Sequence, residues 1–287
     1  MFKGFKYCIF GLILFLIIIF FVVQSSLSNK GISTLFDRVL GRKPAPVLVY
    51  KEEKTLRIIE GWRNSDISNL LVKNNLATAD EFTQAQKDFD TTKFSFLADK
   101  PKGTDLEGYL YPDTYRVFAS STASEIINKM LANFDQKLTP KMRADIAAQG
   151  KTISEVLTMA SIIEKEAPIS YAKGENSDAK IISGIFWRRI KDGQALQSCA
   201  TLAYVLGVDK PQYSEVDTKI NSPYNTYLNR GLPPGPISNP GILAIEAAIY
   251  PTPSNYNYFL TPIGSKAIIY ATTYEEHLRN KNKYLGN

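Results

Sequence analysis

The stretch ASIIEKEAP, residues 160–168, sets a carboxylate where an apolar helix would hold a core side chain. With a helix starting after Thr152 and advancing roughly 100° per residue, Ile153, Val156, Leu157, Ala160, Ile163 and Ala167 form one stripe. Glu164 falls within roughly 20° of Leu157 and of Ile153 by the same arithmetic, whereas Lys165 and Glu166 point away, Glu166 toward solvent. A carboxyl on an apolar face loses hydration, so its pKa rises and it can keep a proton near neutral pH. A general acid must be in that state to protonate a glycosidic oxygen. Periodicity alone also allows a surface glutamate on an imperfectly amphipathic helix.

An ordinary glycosidase needs a second carboxylate across the bond, and Glu107 and Asp113 are the candidates. They belong to DLEGYLYPDTYRV, where Glu107, Tyr109, Tyr111, Asp113 and Tyr115 would share one face of an extended strand. Phenol rings pack on the C–H faces of sugars while carboxylates take their hydroxyls. The alternative is a strand whose tyrosines merely follow β-propensity, and Pro112 suggests an edge or a bend. A lytic mechanism needs one glutamate only: it protonates the leaving oxygen, then as carboxylate takes the proton of the sugar's own C6 hydroxyl, which closes on C1.

The elements that would position these groups follow from patterning. The capping box Thr152 to Glu155 starts the helix of Glu164 and Pro168 ends it. STASEIINKMLANFDQKL and residues 179–192 read as further amphipathic helices, the second terminated by Gly193. Upstream, VLVYKE and TLRIIEG read as strands, the latter ending at Gly61, with NSDISNLLVKN and ATADEFTQAQKDF as short helices in a small β-α-α-β unit. The run NSPYNTYLNRGLPPGPISNPG reads as rigid turns, a structural cap or a preshaped ligand wall, and AIIYATTYEEHL as a strand followed by a helix.

Composition narrows the classes. The chain has 287 residues, 44% of them hydrophobic, enough for a core plus a membrane segment. From Tyr7 to Asn29 no side chain is charged, and the apolar run is longer than a signal-peptide core, so an uncleaved anchor is expected over cleavage near Ser26-Leu27-Ser28. Lys3 and Lys6 before it place the N-terminus in the cytoplasm and the rest of the chain outside. Cys8 lies in the anchor and Cys199 has no soluble partner, so no disulfide framework exists. One histidine, His277, and no CxxC or HExxH spacing argue against zinc chemistry and a Ser-His-Asp hydrolase. The net charge of +6 is scattered along the chain, which does not suit nucleic acid. Nothing in the sequence asks for a metal or an organic cofactor.

EGYLYPDTY (107–115), MASIIEKEA (159–167), LQSCATLAYVLG (196–207) and SPYNTYLNRGLPPGPISNPG (222–241), in this order, resemble the signature blocks of the endolytic murein transglycosylase family, MltG or YceG-like. The resemblance runs from about Glu107 to His277. It implies that Glu164 is the catalytic acid and base. It implies cleavage within peptidoglycan strands that leaves 1,6-anhydro-N-acetylmuramic acid ends, and glycan-polymerising synthases as membrane partners. It also makes the β-α-α-β unit LysM-like. Gln197 and Asn225 would then bind N-acetyl or hydroxyl groups, Tyr111, Tyr224 and Tyr227 would line the cleft, and Glu107 would keep it polar. A two-carboxylate hydrolytic muramidase and a catalytically silent glycan-binding scaffold are the competing readings. This chain departs from the family in carrying Cys199-Ala200 where Asp-Pro is usual, and its LysM-like part looks reduced.

The expected fold class is α+β: cytoplasmic N-terminus and transmembrane helix over 1–24, linker over 25–46, LysM-like module over 47–105, and a mixed helical and antiparallel-strand catalytic domain over 106–287.

Overall fold

Glu53–Arg57 (β1) pairs antiparallel with Thr114–Phe118 (β2), Leu56 standing opposite Tyr115. Between them run two helices, Asn64–Lys73 (α1) and Ala79–Lys87 (α2), and two short 3-10 turns. This computed structural model describes residues 52–210, 212–262, 264–265 and 267–286. The predicted membrane anchor, the linker and most of the predicted VLVYKE strand lie outside the described residues. Among the described residues no helix is long and apolar enough to cross a membrane.

The β-α-α-β order is present, and the strand that closes it is Thr114–Phe118. Two predicted strands are shorter than their patterns. TLRIIEG leaves the sheet after Arg57, because the chain must turn at Gly61, which sits at φ +78° and donates its N–H to Asn239 O over 2.9 Å. DLEGYLYPDTYRV is not extended before Thr114. Gly108 holds φ +85°, and a Cβ there would collide with the Pro236 ring. The chain therefore coils at this point, and Tyr109, Tyr111 and Tyr115 all turn into the core. The proposed face of sugar-binding phenols does not form.

The remaining helices are Ala123–Lys137 (α3), Pro140–Ala148 (α4), Ile153–Glu166 (α5), Ser177–Lys191 (α6), Cys199–Leu206 (α7), Ile242–Ile249 (α8) and Tyr274–Leu285 (α9). Tyr258–Leu260 (β3) and Ile269–Ala271 (β4) form a second antiparallel pair, on which α9 packs. Thr122, Thr139 and Thr152 cap α3, α4 and α5, each accepting a hydrogen bond from the third helical N–H. α5 is the central helix. Val156 through Ile163 are all buried, because α8 with its alanines Ala244, Ala247 and Ala248 packs closely on one side while α4, α6, α7 and the second 3-10 turn, Ser95–Leu97, close the others. Its interior hydroxyls are satisfied locally: Thr158 donates to Ser154 O and Ser161 to Thr158 O, both over 2.8 Å. Ser161 also accepts Ile237 N–H over 3.0 Å, which ties the proline-rich loop to this helix.

Candidate active site

Glu164 lies in the last turn of α5, half-buried, with its carboxylate aimed at the N-terminus of α8. The Tyr171 hydroxyl donates to Oε2 over 2.5 Å and the Gly241 N–H to the same oxygen over 3.0 Å. Gly241 is the residue that opens α8, so the carboxylate takes up an unpaired helix N–H. Close packing explains the glycines. A Cβ on Gly241 would collide with the Tyr171 hydroxyl and come within 2.7 Å of Glu60 Cγ, and one on Gly61 would lie 3.3 Å from Glu164 Cγ.

Burial pushes the Glu164 carboxyl above its ordinary pKa; the Tyr171 and Gly241 hydrogen bonds pull it back, Glu60 raises it further, and Lys165 opposes with its charge. Burial and the Glu164 charge push the Tyr171 phenol up, so it stays a donor. Tyr171→Phe removes one stabiliser of the ionised carboxylate. We expect the alkaline limb of any rate that needs protonated Glu164 to move to higher pH in this variant, as read from a pH–rate profile of kcat/KM.

Glu166 does not point to solvent. Ser198 Oγ donates to its Oε1 over 2.5 Å and Ala200 N–H over 3.1 Å, so Glu166 caps α7 from another helix while Ser198, the residue at the cap position, makes no cap bond of its own. A proline at position 200 would have no N–H to give. Glu166 also lines a cavity of about 710 Å³ together with Gln197, Cys199, Tyr227, Tyr258 and Lys281. Gln197 holds a left-handed φ of +54°, unusual for a residue with a side chain, and is fixed there by its N–H donating to Thr226 O over 3.1 Å. The Tyr227 oxygen lies 3.2 Å from Cys199 Sγ, and burial raises the pKa of the phenol.

The predicted site residues thus part into groups. Gln197 and Tyr227 gather at Glu166, on a different side of α5 from Glu164. Asn225 is fully buried and spent on its own loop: Nδ2 donates to Thr218 O and Ile220 O, and Oδ1 accepts Tyr227 N–H. Tyr224 packs on Tyr204, ring centroids 4.9 Å apart, beneath Arg63. Tyr111 is core, stacked 6.0 Å from Phe134, not cleft wall.

Glu107 sits in a buried polar hub, where both oxygens accept Asn64 N–H at 3.1 Å and Oε1 accepts Asn239 Nδ2 at 3.2 Å. Desolvation outweighs these donors and lifts its pKa from 4.5 to about 8. The folded state therefore holds a proton that the unfolded chain releases, so Glu107 costs stability as pH rises from about 4.5 to about 8. In Glu107→Gln, chemical denaturation across that window should show a flatter fall of stability with pH. Tyr171, Gly241 and Glu60 were not foreseen from the sequence. Tyr171 follows Glu164 by seven residues, but Pro168 ends the helix between them, so no helical spacing connects the two.

An α+β chain whose central helix ends in two carboxylates, one of them lining a cavity walled by phenols and an amide, defines a class of protein built around a glutamate-bearing helix end. The chain belongs to the YceG-like family, whose model matches residues 26–283. It is 37% identical over 187 residues to an endolytic murein transglycosylase of Streptococcus pneumoniae serotype 2 (strain D39 / NCTC 7466), covering 63% of this chain and 33% of that protein. It is 34% identical over 218 residues to an endolytic murein transglycosylase of Bacillus subtilis (strain 168), covering 75% of this chain and 59% of the relative. The chain therefore spans between about a third and three fifths of the length of these relatives. The crystal structure of a yceG-like protein from Listeria monocytogenes is similar with a TM-score of 0.68 and 32% identity, over 87% of this chain and 81% of that one.

Proposed function

We propose that the chain is a membrane-anchored lytic transglycosylase that cuts the bond between N-acetylmuramic acid and N-acetylglucosamine inside peptidoglycan strands, with Glu164 as acid and then base. The half-buried Glu164 carboxyl, with its raised pKa and two donors on one oxygen, carries this reading. The activity for which the two relatives are named supports it. Protonated Glu164 gives its proton to the glycosidic oxygen as the C1–O bond breaks. The resulting carboxylate takes the proton of the C6 hydroxyl as that oxygen bonds to C1, which leaves a 1,6-anhydro end and restores the acid. Glu107 and Asp113, the partners a hydrolytic muramidase would use, are bonded to Asn239 and Asn133 instead, which favours a single-glutamate mechanism.

In the same reading the first 24 residues anchor the chain with its N-terminus in the cytoplasm, β1 to β2 with the helices between them form a reduced LysM-like spacer, and membrane-borne peptidoglycan synthases are the partners. Glycan-strand trimming would then occur outside the membrane. A second reading gives the acid's role to Glu166, because it is Glu166 that shares the 710 Å³ cavity with Gln197 and Tyr227. Mass spectrometry of purified peptidoglycan after incubation with the full chain tests the activity. Anhydro-ended fragments support it, reducing ends move the case to hydrolysis, and intact glycan that still binds the protein moves it to a scaffold.

A further inference from the structure

The cavity at Glu166 is lined by charges of both signs. Glu166 and Gln197 line it from the end of α5 and the start of α7, and the C-terminal helix α9 contributes Lys281. Lys281 is half-buried, and among the described residues it has no hydrogen bond or ion pair. The other cation of the wall, Arg189, is already spent, donating to Leu196 O over 2.6 Å and to Asn257 O over 2.8 Å. His277, stacked 5.1 Å from the Tyr258 ring, is held below its ordinary pKa by burial and by the charges of Lys281 and Arg189. Lys281 therefore brings an ammonium without a hydrogen-bond partner to a space bounded by the Tyr227 and Tyr258 rings. Rings suit the apolar faces of a sugar, and a lone half-buried ammonium suits an anion.

We propose that Lys281 recognises a carboxylate carried by the muramic acid residue of the glycan, either the free lactyl carboxylate of a bare strand or the carboxylate of an attached stem peptide. This deepens the glycan-cleaving reading and rests on it. The lactyl group and its peptide are the only anionic substituents on a strand of N-acetylated sugars, so a cation in the cavity distinguishes muramic acid from N-acetylglucosamine and fixes which sugar sits there. The N-acetyl group is common to both sugars, so an amide such as Gln197 that reads it does not make that distinction.

Ligand titrations of the full chain followed by NMR test this, with N-acetylmuramic acid, its lactyl methyl ester, N-acetylmuramoyl-L-alanine and N-acetylglucosamine as probes. Lys281→Met keeps the aliphatic stem on an open helix face, and Lys281→Arg restores the charge. We expect Lys281→Met to weaken N-acetylmuramic acid by about tenfold or more, Lys281→Arg to recover most of it, and both to leave the ester and N-acetylglucosamine unchanged. If N-acetylmuramoyl-L-alanine alone shows the dependence, the stem carboxylate is the source and the proposal stands. Equal binding of acid and ester together with an N-acetylmuramoyl-L-alanine affinity that Lys281→Met leaves unchanged, or an equal loss for all four probes in Lys281→Met, overturns it. Charge-dependent binding by a chain that releases no anhydro ends would sink the catalytic reading and leave this inference intact. A cleaving enzyme whose KM ignores Lys281 does the reverse.

Discussion

Glu164→Gln is expected to lower glycan cleavage by about 10²- to 10⁴-fold, the contribution of a positioned acid, while the protein stays folded. The amide has the size of the carboxyl, and its oxygen can still accept the Tyr171 hydroxyl and the Gly241 N–H that hold Oε2 in place. What it lacks is the proton to give and the negative charge to take one back, so both halves of a lytic turnover fail together. Glu166→Gln is the necessary companion. Its Oε1 receives Ser198 and Ala200, contacts an amide oxygen also accepts, so cleavage should persist with a slightly less stable α7. Anhydro-ended fragments quantified by mass spectrometry, alongside thermal unfolding of each variant, read the outcome. The opposite pattern, full activity in Glu164→Gln and none in Glu166→Gln, transfers the acid's role to Glu166 and its cavity.

Glu164 was legible in the sequence because its helix is marked at both ends, by the Thr152 to Glu155 box and by Pro168, so the 100° arithmetic had a fixed origin. Glu166 was not. The same arithmetic takes it off the apolar stripe, and on a surface helix that means solvent; α5 is packed on every side, so off the stripe means a contact with Ser198, 32 residues on in sequence. The tyrosines of 109–115 misled for a related reason. A period of two describes a strand only if the backbone is extended, and Gly108 turns the chain under Pro236. The helix Ile242–Ile249 carries no usable periodicity because seven of its eight residues are apolar and it is wrapped by α4, α5 and α6. Asn225 was readable as a ligand-binding amide, yet it spends its donors and acceptor on its own loop, and Asn239 spends its own on partners far away in the chain.

Asn239→Ala should be among the most destabilising single changes in the molecule, by about 4 kcal/mol or more in chemical denaturation. The side chain is fully buried and joins three segments: Oδ1 accepts Gly108 N–H at 2.9 Å and Leu110 N–H at 3.0 Å, while Nδ2 donates to Trp62 O, Asn64 Oδ1 and Glu107 Oε1. Alanine leaves two N–H groups without their acceptor in a site closed to water, and Glu107 keeps only the Asn64 N–H. The backbone of Asn239 also exchanges hydrogen bonds with Gly61 and Trp62, two residues before the Gly241 N–H that holds Glu164, so cleavage should weaken along with stability. Asn239→Asp separates the two halves of the amide. It keeps an acceptor for Gly108 and Leu110 but sets a second carboxyl against Glu107 in place of a donor. Its deficit should therefore deepen as pH rises and the pair is forced to ionise, and shrink in acid where both hold protons. A deficit that is the same across that range would mean that the hub loosens enough to admit water, and that Glu107 is not buried as tightly as its hydrogen bonds to Asn64 and Asn239 imply.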